Sequence, residues 1–476
     1  MSGGIGISSY GVFIPRCRIA RSAIVDAHAW ALPGLKALGR GERAFGNWDE
    51  DAITMGVQAA RNCLEGRAGM PADVSLASTT APFADLQNSS ILCQALRMSE
   101  IVKAQDFSGS TRAGLRALAQ ALDAAGAATM VVGADCRRAR PGSSQELTYG
   151  AGAAAFLTGY GDVLARYLGG HSVSAPFVDH FRQSGEKYDY FWEERWIRDA
   201  GVVPLVPAVV TQLLNRIEIR ASRVAWFGVA GVPAGSDSMV AKVLGIAPER
   251  LIPNLQGTVG DTGAAHALLL LASAIERGKP GDIVVIAAFG LGCEALAFEI
   301  ADGGARPASG LEDAVARKNL ESSYLKMLSF AGELNLDWGP RSETTIKASL
   351  SQQYRSASQV LGFIGGQCTA CGQVQFPALP TCVNCAASGA MTPYPLSDAP
   401  ARIVTASADW LQFYPAPPLY VGLVQFDAGA RALMEIVDVP LAGIEVGTPV
   451  RFAFRVKACD ELRHYSRYFW KAVPDI

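Results

Sequence analysis

Four cysteines carry the plainest chemistry in this sequence. Cys368 and Cys371 form one C-x-x-C pair and Cys382 and Cys385 a second, inside FIGGQCTACGQVQFPALPTCVNC. Each pair makes a knuckle that presents two thiolates to one ion. Two knuckles complete a tetrahedral set, with Zn2+ the usual occupant and iron a lesser one. A closed four-thiolate set has no open position, so the expected role is structural. A second group of residues lies at DFSGSTRAG. Ser108, Ser110 and Thr111 can cap a following helix and offer hydroxyls at its positive end. Arg112 falls in that first turn, where a cation calls for an anion: Asp106, a phosphate or a substrate carboxylate. A third group spans GDTGAAHALLLL and AAFGLGCEAL. Asp261 is a cap or a site carboxylate. His266, about one turn on in an apolar run, is a packing residue or a base. The Gly290 and Gly292 turn can aim amides at an oxyanion. Cys293, just after it, is a buried inert thiol or a nucleophile.

The elements that must position these groups alternate. GIGISSYGVFIP reads as a strand, RSAIVDAHAW as a helix start, and DEDAITMGVQAARNCLEG as an amphipathic helix with Asp49 and Glu50 at its start. A strand, DVSLASTTAP, and a helix, SSILCQALRM, follow, and then the stretch Gln105–Asp135 gives strand, corner, helix and strand. ELTYGAGAAAFL continues as a turn and a small-residue strand, and its Glu146 suits a cap. From about 165 to 225 the periodicity weakens. The aromatic segment with His180, Tyr188 and Trp192 reads as a wall over an acyl pocket or a cover for the core. Beyond it, GSTRAGLRAL from Gly109 and GDTGAAHALL from Gly260 share Gly, Thr and Ala at matching offsets, each before a strand. An internal duplication follows, with two helix starts meeting at one centre.

The third region differs. ADGGARPASG is a linker, LEDAVARKNLESSYLKMLSF a surface helix, and ARIVTASAD, LYVGLVQFD, RALMEIVD and PVRFAFRV are short strands of a small β-barrel. The expected domains are 1–165, 166–305, a linker and helix over 306–345, and 346–476. Lys+Arg 42 against Asp+Glu 44, a net charge of -2, favours neither nucleic acid nor an anionic membrane. No secretory signal is legible and no apolar run reaches membrane-span length. Ten cysteines, four of them with metal spacing, suggest a reducing cytoplasmic setting rather than a disulfide framework.

Taken together, DFSGSTRAGLRAL, ELTYGAGAAAFL, GTVGDTGAAHALLLL and AAFGLGCEAL resemble the thiolase superfamily, the HMG-CoA synthase branch most closely and the initiating ketoacyl-ACP synthases next. The last part resembles the zinc-ribbon and OB-fold module that accompanies acyl-CoA thiolases. The resemblance implies a five-layer α/β/α/β/α fold of two similar halves, a rubredoxin-like zinc ribbon and an OB-fold barrel. It also implies a homodimer and an acyl-CoA or acyl-carrier thioester as substrate. The family's nucleophilic Cys falls on Thr111 when Asp106 and Gly114 are matched to its motif. A small shift brings Ser108 or Ser110 there, and no register offers a Cys. The branch's acidic residue falls on Thr80 or Ala81, with Asp85 nearby. The family His has no counterpart in Val229–Val232, and the ketoacyl synthase Asn falls on Asp261.

A Thr hydroxyl is a far weaker nucleophile than a helix-start thiolate. The expectation is therefore aldol or retro-aldol chemistry on a CoA thioester, with Ser108, Ser110, Arg112, Tyr149, Gly290 and Gly292 around the substrate and Thr111, Asp261, His266 and Cys293 as catalytic candidates. The alternatives are a covalent HMG-CoA-synthase- or ketoacyl-synthase-like acyltransferase and a non-catalytic acyl-CoA-binding partner subunit.

Overall fold

The computed structural model describes residues 4–67, 69–124, 126, 128–343 and 346–475. The chain divides into two compact units. The first gathers Met1–Asn47, Asp51–Ser90 and Ser99–Met327, so the expected halves 1–165 and 166–305 fall within it apart from Trp48–Glu50 and Ile91–Met98. Its sheet has nine strands: β1 (Ile5–Phe13), β2 (Asp73–Ala77), β3 (Lys103–Phe107), β4 (Thr129–Cys136), β5 (Ala151–Tyr160), β6 (Ala165–Ser174), β7 (Val224–Ala230), β8 (Ile283–Phe289) and β9 (Gly292–Ile300). Their order is β7-β8-β9-β6-β1-β5-β4-β2-β3. β2 lies parallel to β3 and β4, and β5 runs antiparallel to β4 and β1. On the other side β7 and β8 are parallel, and β9 runs antiparallel to β8 and β6. The halves join where Gly6 and Ile7 pair with Arg166 and Ala165.

The duplication read from the sequence has a counterpart in this topology. Helix α2 (Ala113–Asp123) precedes β4 and its antiparallel partner β5, as α3 (His266–Arg277) precedes β8 and β9. α3 is buried from His266 through Ile275, as expected of a helix apolar on every side. The close approach of the two halves depends on a missing side chain. A Cβ on Gly114 would overlap the Ala264 carbonyl oxygen at the start of the second repeat's helix.

Three local expectations change. Asp49 and Glu50 do not open helix α1 (Ala52–Leu64); Asp51 caps it, in a reciprocal box with Thr54. The surface helix expected over Leu311–Phe330 breaks into Leu311–Ala316, a short strand Asn319–Glu321 and Tyr324–Phe330, because that strand pairs with Cys17–Ala20. The weakly periodic region contains β6, a strand rich in Gly and polar residues, and a helical stretch over Glu194–Arg216. That stretch is long and apolar enough to cross a membrane, but half of its most apolar window is buried, with Val206, Val209, Val210 and Leu213 in the core.

The second unit comprises Trp48–Glu50, Ile91–Met98 and Leu328–Ile476. Strands β10 (Ile364–Cys368), β11 (Val374–Gln375) and β12 (Met391–Pro395) form a three-stranded ribbon. Strands β13 (Ala401–Asp409), β14 (Leu419–Phe426), β15 (Arg431–Glu435), β16 (Pro449–Asp460) and β17 (Tyr465–Pro474) form a sheet in the order β15-β14-β13-β16-β17. A bridge from Ile436 to Ala472, with the Val437 amide 2.9 Å from the Ala472 carbonyl, draws its two outer strands together. Phe363 packs on Phe426, Phe452, Phe469 and Trp470 at the centre. Asp49 is fully buried here: Lys471 Nζ lies 2.9 Å and Arg455 Nη1 3.3 Å from its carboxylate, and Glu50 pairs with Arg455. Charge pairing in this unit thus takes the two acids that local sequence assigns to a helix start.

Replacing Gly114 with Val should cost about 1–3 kcal/mol or more, since the added carbons meet backbone that cannot rotate away. Urea denaturation of the full chain measures this, and an unchanged midpoint would contradict the packing.

Candidate functional site

The four sequence-predicted cysteines converge. Their sulfurs all lie within 4.8 Å of one another, with Cys368–Cys385 and Cys371–Cys382 both at 3.7 Å. A tetrahedral Zn–S bond of about 2.3 Å requires sulfurs about 3.8 Å apart, so the donor set fits zinc. Knuckle hydrogen bonds hold each pair: the Gly372 amide donates to the Cys368 carbonyl at 2.8 Å and the Ala386 amide to the Cys382 carbonyl at 3.1 Å. When bound, the metal cross-links the two knuckle loops of the three-stranded ribbon. Purified protein should carry close to one zinc per chain. Cys382→Ser should release it and lower the unfolding midpoint, as elemental analysis and thermal denaturation will read.

In the first unit, β3 delivers the corner to α2. Ser108 is exposed. The Ser110 hydroxyl donates to the Gly290 carbonyl at 3.1 Å, and the buried Thr111 hydroxyl lies 3.4 Å from the Phe289 carbonyl. The corner therefore closes on the β8–β9 turn, as two facing repeats should. The Gly290 amide donates within that turn, to the Gly292 carbonyl at 3.0 Å. Arg112 does not meet Asp106, whose carboxylate instead receives the amides of Asn88 and Ser89. Its guanidinium reaches neutral oxygens: the Val173 carbonyl at 3.1 Å, and Ser174 Oγ and the Leu291 carbonyl at 3.4 Å. Cys293 is fully buried, and burial pushes its thiol up to about 12, so no thiolate stands here near neutral pH.

A second cluster centres on Arg137, just past the end of β4. Its guanidinium lies 2.8 Å from Asp261, 3.0 Å from Asp189 and over the Tyr149 ring, 3.5 Å from the centroid. Tyr149 donates to Asp189 at 2.9 Å, and Arg182 adds a further contact to Asp189 at 3.1 Å. Backbone bonds carry Asp261 beside Tyr149: its amide donates to Thr148 and its carbonyl accepts from Gly150, both at 2.8 Å. Burial works to raise the Asp261 carboxyl, but the Arg137 guanidinium and the Gly263 amide hold it below the usual carboxylate range. Asp189 is lowered in the same way, burial again being overridden by Arg137. Burial, reinforced by Asp189 and Asp261, drives the Tyr149 phenol far above its ordinary value, so it stays protonated.

His266 is held at both ring nitrogens. Nδ1 accepts from the Thr262 amide at 3.3 Å, which leaves Nε2 to donate to the Asn254 carbonyl at 3.0 Å. Burial lowers its pKa, so it is neutral, and Nδ1 stands 4.0 Å from Asp261. Glu146 is buried beside His28 and Tyr324, at 3.2 and 2.6 Å. In the aromatic segment, His180 pairs with Asp179 at 2.6 Å, Tyr188 stacks under Arg140, and Trp192 stands about half exposed. Sequence reasoning thus found Asp261 and Tyr149 but missed Arg137, Asp189 and Arg182. The signal available for Arg137 was an Asp-x-Arg at the end of a buried strand. Asp189 had none, being polar in a polar segment.

Arg137→Met should cost about 3–5 kcal/mol near neutral pH, because it leaves Asp261 without its cation and Asp189 with Arg182 alone. The sign with pH is specific. In the parent chain the depressed Asp261 and Asp189 contribute stability above the unfolded carboxyl value of about 3.9, lost as pH falls through their lower folded values. In the variant burial outweighs the contacts that remain, the Gly263 amide on Asp261 and Arg182 and Tyr149 on Asp189, so both values should rise and the deficit should shrink as pH falls from 7 toward the carboxyl range. Urea titrations at both ends read this; a deficit that does not change with pH would break the assignment.

Residues 214–300 match the family described as 3-oxoacyl-[acyl-carrier-protein] synthase III C terminal, and 359–392 match the ChsH2 rubredoxin-like zinc ribbon domain. A hydroxymethylglutaryl-CoA synthase of Aeropyrum pernix is 30% identical over 305 residues, covering 62% of this chain and 84% of the relative. That of Thermococcus sibiricus is 29% identical over 307 residues, covering 62% and 86%. Among solved structures, an HMG-CoA synthase complexed with CoA is similar with a TM-score of 0.59 at 14% identity, over 72% of this chain and 94% of that one. A Pseudomonas aeruginosa 3-oxoacyl-(acyl carrier protein) synthase III is similar with a TM-score of 0.56 at 20% identity, over 63% and 100%. These likenesses carry the thiolase-like fold, and with the 30% identity they mean that this chain, ahead of its zinc ribbon, belongs to the hydroxymethylglutaryl-CoA synthase family.

Proposed function

We propose that the chain makes or breaks a carbon–carbon bond in an acyl-CoA thioester by aldol-type proton transfer, without an acyl-enzyme. Family membership supports the broader statement, an acyl-CoA condensing enzyme of the thiolase superfamily. The observation that carries the narrower one is the contrast between two corners. At the first, the Ser110 and Thr111 hydroxyls are engaged by carbonyls and the nearby Cys293 thiol is kept protonated. At the second, Asp261 is kept ionised while its side chain remains about one-fifth exposed. An ionised carboxylate with partial access is the group suited to moving a proton.

In the cleavage direction, Asp261 takes the proton of a β-hydroxyl. The oxygen electrons form the carbonyl of one product, and the Cα–Cβ pair passes to the α-carbon as a thioester enolate. A proton returned to that carbon completes the smaller thioester. Arg112, whose hydrogen bonds go to neutral oxygens, is suited to the enolate oxygen or a substrate anion. Arg137 and His266 position and polarise Asp261, and protonated Tyr149 orders the same network. Synthesis runs these steps in reverse. The proposal extends to a homodimer, for which the edge strand β3, paired on one side by β2 and exposed at Lys103, Gln105 and Asp106, is suited, and to a cytoplasmic setting, consistent with ten cysteines of which none forms a disulfide.

Incubation with a panel of β-hydroxyacyl-CoA thioesters, read by mass spectrometry, should give smaller thioesters and a carbonyl product. Asp261→Asn should lower kcat by about 100-fold or more, while Thr111→Ala stays near the parent value. An acyl adduct on Ser108, Thr111 or Cys293 would replace this reading with covalent acyl transfer. Tight CoA-ester binding with no turnover across the panel would replace it with a non-catalytic binding subunit.

A further inference from the structure

A cavity of about 450 Å³ opens on the first unit, at the end of its sheet remote from the corners described above. It lies where β7 and β8 begin, at Val224 and Ile283, whereas the candidate site lies where they end, at Ala230 and Phe289. Seven residues of strand separate the two by roughly 20 Å. The lining is strongly cationic: Arg223, Arg250, Arg277 and Lys279 face a single acid, Asp282.

That acid is already engaged. Asp282 accepts from the Trp226 indole at 3.1 Å and from the Lys279 backbone amide at 3.0 Å. Arg250 is fixed by donating to two main-chain oxygens, those of Ser222 and Val224, both at 2.6 Å, so its geometry is set while its charge is not neutralised by an acid. Arg277 is paired with Glu312 at 2.6 Å. Arg223 and Lys279 are exposed and, among the described residues, neither has an acidic side chain in an ion pair. Trp226, half-buried, supplies an aromatic wall to the same cavity.

We infer that this cavity is a binding site for a polyphosphate anion, either free or carried by a nucleotide whose flat base lies on Trp226. The charge argument is direct. Fixed guanidinium and mobile ammonium groups around an open concavity, with their one acid held by neighbours, match the oxygens of a diphosphate better than a single carboxylate. The volume is within the range of small-molecule sites and exceeds what one inorganic phosphate needs. The site is independent of the proposed reaction and uses none of its residues.

Calorimetric titration of the full chain with sodium pyrophosphate and with ADP tests it. Saturable binding should appear and weaken with added salt. Charge reversal at the two exposed cations, Arg223→Glu with Lys279→Glu, should weaken it at least about tenfold while the thermal midpoint without ligand stays near that of the parent. Tighter binding of ADP than of pyrophosphate, with the margin lost in Trp226→Leu, assigns the nucleotide; equal affinities assign the bare polyphosphate. No saturable binding of either into the millimolar range, or binding unchanged by the double reversal, overturns the inference.

Discussion

One buried carboxylate holds the centre of the first unit together. Asp135 sits near the end of β4 with no exposure to solvent. It receives the Ser78 hydroxyl, both the amide and the hydroxyl of Thr79 and of Thr80, and the Ala264 amide, at 2.7–3.0 Å. Those donors come from the turn after β2 and from the corner that opens the second repeat's helix. A buried carboxylate is costly unless its lone pairs are filled. Here the filling also fixes the distance between the two halves. Gly263 shows how tight the arrangement is: it takes a φ of +56°, and a Cβ there would overlap the Asp135 carboxylate. With Asp135 placed, Arg137 two residues on is aimed at Asp261, the residue just before that corner. The geometry around Asp261 therefore follows from a buried structural charge.

The parts of this arrangement visible in the sequence are those set by neighbours in the chain. The βα alternation, the matching offsets from Gly109 and Gly260, and the two C-x-x-C knuckles are local patterns, and each has its counterpart in the fold. What was not legible depends on partners far apart. Arg137 meets Asp261 across 124 positions and Asp189 across 52. Asp49 and Glu50 resemble helix-start acids by every local rule, yet they lie against Lys471 and Arg455. A capping preference is worth about 1 kcal/mol, and a buried cation left unpaired costs several times that, so the distant partner wins. The strand β6 escaped notice for a related reason. Its Gly and Ser residues carry little strand propensity, and pairing with β9 over nearly its whole length imposes the conformation.

The second unit illustrates a different dependence. Its ribbon has strands of two to five residues, too short to bury a core of their own. Four thiolates at tetrahedral spacing supply the missing cohesion through a metal cross-link. The barrel-like sheet beside it needs no such help, since the Phe363 cluster and the Ile436–Ala472 bridge close it through apolar burial and backbone pairing.

The chemical consequence of losing a thiol is sharper than a change of nucleophile. A cysteine at a helix start is partly ionised near neutral pH and serves as its own reactive group. A hydroxyl there needs a base within hydrogen-bond reach, and the partners of Ser110 and Thr111 are carbonyls, which accept protons in hydrogen bonds but do not remove them. On the proposed chemistry the corner of α2 therefore shapes and polarises but does not attack. The other corner has the complementary property. Asp261 shares Arg137 with Asp189, so two carboxylates stand against one close guanidinium, with Arg182 balancing the far oxygen of Asp189. That division keeps Asp261 charged without fully neutralising it, and the same lowering makes it a weaker base than a free carboxylate. On the proposed chemistry, activity lies at the second repeat's helix start rather than the first's, and Asp135 ties that second corner to the turn after β2.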